Sequence, residues 1–220
     1  MIILNMGGAI EHWLGFQDKI GRSFMMNEDA LKYPLSDYLV NDGSINIKSI
    51  DLEYPHPNFS NRLVDLAISD AANKQLNNLF ELKLAKSTTR HQSEKQRIFN
   101  DLIRLHLANK VASDKCYFII TGKSVNFQRD FRDFPNVAPG FYRKWFSFVK
   151  GQSLTFNVAT ERAPDYQLIY NTFINEYSGS FQDGGANVLT LPSQITTTCE
   201  FITAFKMQLV PYMTGIWSVS

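Results

Sequence analysis

Asp65, Glu81 and Lys83 are charged residues in segments that otherwise read as buried β-strand. In Leu79–Lys86, LFELKLAK, strand alternation puts Phe80, Leu82 and Leu84 on one face. Glu81 and Lys83 share the other, roughly 6.6 Å apart along the chain. Asp65 sits the same way in LVDLAI, opposite Val64, Leu66 and Ile68. A hairpin register across the intervening DAANKQLN sets Asp65 beside Glu81, so two carboxylates and one ammonium enter a single cleft. Two carboxylates about 4 Å apart repel by a few kcal/mol at an effective dielectric near 20, unless a cation lies between them. Oxygen-only ligands of this kind suit Mg2+ or Mn2+, which keep several waters and accept phosphate oxygens. Such an ion lowers the pKa of its water and neutralises charge at phosphorus. Lys83 would then orient the hydroxide or stabilise the developing negative charge.

The flanking text supplies elements able to position these groups. AIEHWLGFQDKIGRSFMM and NEDALKYPLSDYLV carry apolar residues at helical spacing, the second with Asn27 as N-cap. INIKSIDLEY alternates like a strand, PHPNFSN is turn text, and residues 62–86 form an antiparallel hairpin. TTRHQSEKQRIFNDLIRLHLANK is a helix whose stripe is Ile98, Phe99, Leu102, Ile103 and Leu105, with Glu94, Arg97, Asp101 and Arg104 on the opposite face. Projected back, the stripe aims Gln92 and Gln96 at the sheet. KCYFIITGK is a continuous apolar strand, the pattern of one covered on both faces. Beyond residue 124, SVNFQRDFRDF, GFYRKWFSFVK and YQLIYNTFINEY read as helices, SGSFQDGG as a loop, and TTTCEFITAFKMQL and TGIWSVS as strands.

The succession of Asp65, a turn, Glu81-Leu82-Lys83 and a helix bearing Gln92 and Gln96 resembles the PD-(D/E)xK nuclease superfamily over about residues 26–123. The resemblance implies an α/β fold of the α+β mixed-sheet kind, with a restriction-endonuclease-like αβββαβ core. An N-terminal helix over 1–25 would precede that core, and residues 124–220 would form a C-terminal α/β elaboration packed on it as one compact domain. It also implies Asp65 and Glu81 as ligands of Mg2+ or Mn2+, Lys83 as the catalytic lysine, and Gln96, with Gln92 in reserve, as the helix glutamine. The helix acid of the family maps to Glu28, with Glu11 as its alternative. Val64 stands where the motif's name places proline, and no tyrosine follows Gln96 in the manner of one exonuclease-like branch. The implied activity is hydrolysis of phosphodiester bonds, in DNA rather than RNA, for restriction, defence or repair, with a homodimer suited to cutting both strands. A noncatalytic nucleic-acid- or protein-binding module is the competing reading of the same scaffold.

Charge distribution bears on partners. Net charge is only +1. Yet residues 81–110 hold Lys83, Lys86, Arg90, Lys95, Arg97, Arg104 and Lys110 against Glu81, Glu94 and Asp101, while residues 1–70 are acidic. Lys86, Arg90, His91 and Gln92 are the nucleic-acid contacts expected beside the cleft. No apolar run is long enough to span a membrane and no secretory signal is readable, which predicts a cytoplasmic location without a membrane partner. Gly122-Lys123-Ser124 lacks the glycine that a phosphate loop needs five positions earlier, where Tyr117 stands. His12, His56, His91 and His106 show no metal-ligand spacing, and Cys116 and Cys199 read as small hydrophobes. The rings between Phe127 and Phe148 read as core stripes with interleaved bases along the approach to the cleft.

Overall fold

The computed structural model describes residues 5–134, 140–182, 188–204 and 211–220. Helix α1 spans Met6–Lys19 and α2 spans Lys32–Asn41, entered through a short 3-10 turn at Asp29–Leu31. Asn27 caps that entry, its Oδ1 accepting from the Ala30 N–H at 2.8 Å. Strands β1 (Ile50–Pro55), β2 (Leu63–Ser69) and β3 (Leu76–Ala85) follow, then α3 (Gln92–Ala108) and β4 (Cys116–Lys123). A single helical turn α4 (Ser124–Asn126) runs into a π-helical turn at Phe127–Phe131. The chain continues with β5 (Ser153–Phe156), α5 (Pro164–Tyr177), β6 (Ile195–Ile202) and β7 (Tyr212–Val219).

All seven strands join one mixed sheet in the order β1-β2-β3-β4-β7-β6-β5. The hairpin β2–β3 is antiparallel with Leu66 opposite Phe80, β3 and β4 run parallel with Glu81 opposite Phe118, and the remaining pairs are antiparallel. The parallel pair requires a crossover, and α3 supplies it. Helices α1 and α2 bury Leu14, Leu35 and Leu39 against Leu66, Phe80, Leu82 and Ile119. On the opposite side α3 and α5 pack Phe99, Leu102, Ile169 and Phe173 with the rings of Phe131, Trp145 and Trp217. β4 is therefore covered on both faces, as its unbroken apolar text predicts. Each large side chain so buried contributes on the order of 1.5–3 kcal/mol. Cys116 and Cys199 are free and buried.

Three readings are corrected. GFYRKWFSFVK holds only a 3-10 turn at Phe141–Lys144, because carbonyls that a helix would use are taken from outside. Trp217 Nε1 donates to the Ser147 carbonyl at 2.7 Å and Thr197 Oγ1 to that of Trp145. Strand β5, absent from the sequence reading, pairs with β6 through Ser153 opposite Thr198. Asp101 and Arg104, placed on a polar outer face of α3, are buried because α5 lies across the helix and their charges turn to β3. The expected loop SGSFQDGG begins with a 3-10 turn at Ser178–Ser180 and a bridge from Phe181 to Phe59, and its end lies outside the described residues. So does the end of TTTCEFITAFKMQL beyond residue 204. Among the described residues, no helix is long and apolar enough to cross a membrane.

Candidate active site on the splayed end of the hairpin

The β2–β3 ladder ends at Leu66 opposite Phe80, so the next pair along the same register is Asp65 and Glu81. There the strands part, and a side chain fills the gap. Asp65 Oδ2 accepts the Leu82 backbone N–H at 2.7 Å, a bond that a carbonyl of β2 would otherwise make. Its Oδ1 lies 3.5 Å from the ammonium of Lys32, itself buried at the start of α2. Across β1, Glu53 falls between the pairs Leu52–Leu66 and Tyr54–Val64, hence level with Asp65, and adopts φ of 53°. This left-handed conformation costs a non-glycine residue on the order of 1 kcal/mol and turns the Glu53 carboxylate onto Lys32. Three neighbouring strands thus present an acid at one level.

Glu81 is buried, and its Oε1 accepts from Arg104 Nη2 at 2.7 Å. The same Nη2 donates to Asp101 Oδ1 at 2.6 Å, and Arg104 Nη1 donates to the Leu63 carbonyl at 3.1 Å. Asp101 Oδ2 faces Lys83 Nζ at 2.9 Å, and Lys83 also meets Glu28 Oε2 at 3.5 Å. The result is an alternating chain of charge from β3 through α3 to the entry of α2. Burial raises the Glu81 carboxyl well above its usual range; Arg104 opposes this, and the negative charges of Asp101 and Asp65 add to it. For Lys83, burial acts downward but is outweighed by Asp101, Glu28 and Glu81, so the ammonium stays charged above its ordinary range. Burial likewise acts to raise Asp101, but Lys83 and Arg104 hold it below the usual carboxylate range.

The sequence-expected residues divide into two groups. Lys83 and Glu28 meet, Glu81 joins them through Arg104 and Asp101, and Asp65 stands at the level of Glu81 in register while its own contacts are Lys32 and the Leu82 N–H. Glu11, the alternative acid, is occupied elsewhere by the Thr203 hydroxyl. Gln96 lines the same cavity of about 320 Å3 as Lys83, Asn100 and Asp101. Its amide donates to Asn100 Oδ1 at 2.8 Å and to the Ile169 carbonyl of α5 at 3.1 Å, so it is turned toward α5 and not toward the sheet. Gln92 does not face the sheet either: it is exposed at the first turn of α3, as is His91, whose extended backbone forms the N-cap. Lys86 lies 3.8 Å from Glu28, and Arg90 reaches Asp130 at 3.7 Å. Sequence reasoning missed Lys32, Asp101 and Arg104. The Asp101/Arg104 spacing opposite a strand bearing Glu81 and Lys83 was the available signal, since complementary charges one helical turn apart match residues one pleat apart.

In type and number the two carboxylates suit a hard divalent cation, but each already has a cationic partner, Lys32 for Asp65 and Arg104 for Glu81. Among the described residues, no three His, Cys, Asp or Glu side chains converge as a ready-made metal cage. Mg2+ is commonly bound by one or two carboxylates, with waters and substrate phosphate completing its shell. Asp65 and Glu81 would supply that number. No protein-family model, curated protein or solved structure matches this chain.

Proposed function

We propose that the protein is a Mg2+-dependent nuclease that hydrolyses phosphodiester bonds, with DNA the preferred substrate, built on a restriction-endonuclease-like core. The observation that supports this reading is that Asp65 and Glu81 stand level where β2 and β3 part, within electrostatic reach of each other, with Lys83 held charged on the rim of a cavity. The succession α2, β1, β2, β3, α3, β4 and the parallel β3–β4 pair support the fold assignment. Bound at Asp65 and Glu81, the ion would supply charge neutralisation at phosphorus and an activated water. Lys83, fixed by Asp101 and Glu28, places a permanent positive charge where negative charge develops. Gln96 presents its amide to the same cavity, and Lys86, Arg90, His91 and Gln92 offer an exposed polar and cationic approach to it.

A second reading has its own support. Arg104 already neutralises Glu81, as expected of a scaffold that retains the charges but binds nucleic acid or protein without turnover. Cleavage of supercoiled plasmid and of a labelled DNA strand, with Mg2+ against chelator, separates the two. The nuclease reading expects Mg2+-dependent cleavage that disappears in folded Asp65→Ala. Binding without cleavage by the parent, or cleavage indifferent to metal and to Asp65, would overturn it.

A further inference from the structure

Alongside the Lys83 cavity lies a second concavity of about 260 Å3, formed by Arg90, Lys95, Arg129, Asp130, Phe141 and Tyr142 together with Phe131 and Asp133. Its walls are the segments that leave the carboxyl ends of the parallel strands β3 and β4. In open sheets with parallel strands, ligands collect beyond such ends. The β4 exit runs into a π-helical turn, Phe127–Phe131, a rare conformation that is frequent at functional sites. It carries Asp130, whose side chain is fully buried beneath two arginines that remain open to solvent. Arg129 Nη2 donates to Asp130 Oδ2 at 2.7 Å, and Arg90 Nε lies 3.7 Å from Oδ1. One arginine would neutralise that carboxylate. Lys95 adds a third cation, its Nζ 5.0 Å from the centre of the Phe141 ring. Three cations face two carboxylates, and the buried one fixes the arginines in place. Tyr142 completes the wall, its hydroxyl donating to the Thr89 carbonyl at 2.6 Å and tying down the loop that carries Arg90.

We infer that this groove holds a backbone phosphate of a nucleic-acid strand, close to the bond placed at Lys83. The spacing follows from α3. Lys95 lines the groove and Gln96 the Lys83 cavity, so the two lie on adjacent flanks of one helical turn, within the roughly 10 Å of a helix diameter. This inference rests on the nuclease reading for what occupies the neighbouring cavity, but the groove's own claim is phosphate binding.

The test is equilibrium binding of a fluorescein-labelled DNA strand, and of the same strand annealed to its complement, in EDTA across a salt series. Arg90→Gln/Arg129→Gln should bind about tenfold more weakly near 0.1 M salt, with its salt slope on the single strand lowered by up to about 0.7, the share of one phosphate. Since both arginines hold Asp130, Lys95→Gln serves as the second variant; it leaves that pairing whole and should weaken binding and lower the slope by a part of that roughly 0.7. Thermal melting verifies that each variant is folded. A larger loss on the duplex would assign the phosphate to double-stranded substrate, and a larger loss on the free strand to single-stranded substrate; either supports the groove. Parental affinity and slope in folded Lys95→Gln, or no binding of either probe by the parent, overturns it. Mg2+-dependent cleavage is measured in parallel. Cleavage by the parent with slopes unchanged in the variants would sink the groove alone, whereas lowered slopes with no parental cleavage would sink the nuclease reading alone.

Discussion

The two ends of the sheet bury very different things. Around β2, β3 and α3 the interior holds Lys32, Glu81, Asp101 and Arg104, each ionic and each committed to a partner. Around β5, β6 and β7 it holds rings: Trp145 stacks on Phe156 at 4.1 Å between centroids, and Phe146 packs on Trp217 at 4.7 Å. Beyond residue 140, no Lys, Arg, Asp or Glu among the described residues is buried. The chain therefore fills the β5–β7 end with aromatic surface and keeps these buried charges around β2, β3 and α3. Charges taken out of water repay their desolvation poorly, so a buried row of them is weak evidence for stability and better evidence for a task.

The contrast can be broken by substitution. The largest effect is expected at Lys83. Lys83→Ala leaves Asp101 paired with Arg104, so the fold should persist while the Mg2+-dependent cleavage rate drops about 10²- to 10⁴-fold. Loss of folding with no specific loss of rate would make Lys83 structural. Arg104→Ala should destabilise by about 3–5 kcal/mol in denaturant unfolding, because Glu81 and Asp101 both lose a partner at a buried position; a loss below about 1 kcal/mol would mean that the network is solvated.

Beside this network His56 offers a pH handle. Its Nδ1 accepts from the Asn58 N–H at 3.0 Å, so Nε2 carries the proton and donates to the Arg104 carbonyl at 3.2 Å. Burial, with help from the Arg104 charge, holds its pKa down at about 3. Between that value and its ordinary 6.5, the unfolded chain takes up a proton that the folded chain refuses, so stability falls as pH falls. From pH 7 to 4.5 the wild type should lose about 2–3 kcal/mol more than His56→Asn, measured by urea unfolding. Equal losses would show that His56 is not held neutral. At the ring-lined end, Trp145→Phe should cost only about 1–3 kcal/mol and leave cleavage by the folded protein unchanged. A selective loss of rate there would erase the division between the two ends.

How much of this was legible depends on how locally each feature is encoded. The β2–β3 hairpin was readable because Leu66 and Ile68 alternate on one strand and Phe80 and Leu82 on the next, and a register slip would turn their apolar faces outward; Val64, expected on the same face, belongs instead to the opposite core with Phe99 and Leu102. That register carried Asp65 to Glu81. Lys32 was not readable as buried, since its exit from water depends on Asp65 and Glu53 arriving from other strands. Arg104 and Asp101 fit the pattern of a solvated helix face until α5 covers that face, which is a long-range event. The segment after Gly140 misled for the opposite reason. Its rings recur near helical spacing, but Trp217 and Thr197, far along the chain, claim its carbonyls.

The claim on which the account turns is that Asp65 and Glu81 can share a divalent cation despite Arg104. Titration of metal-free protein with Mn2+, followed by the loss of the free-ion paramagnetic resonance signal, tests it without reference to turnover. The account predicts saturable uptake by the parent, competed by Mg2+ and abolished in folded Asp65→Asn. Equal uptake by parent and Asp65→Asn, or none by the parent, would contradict it.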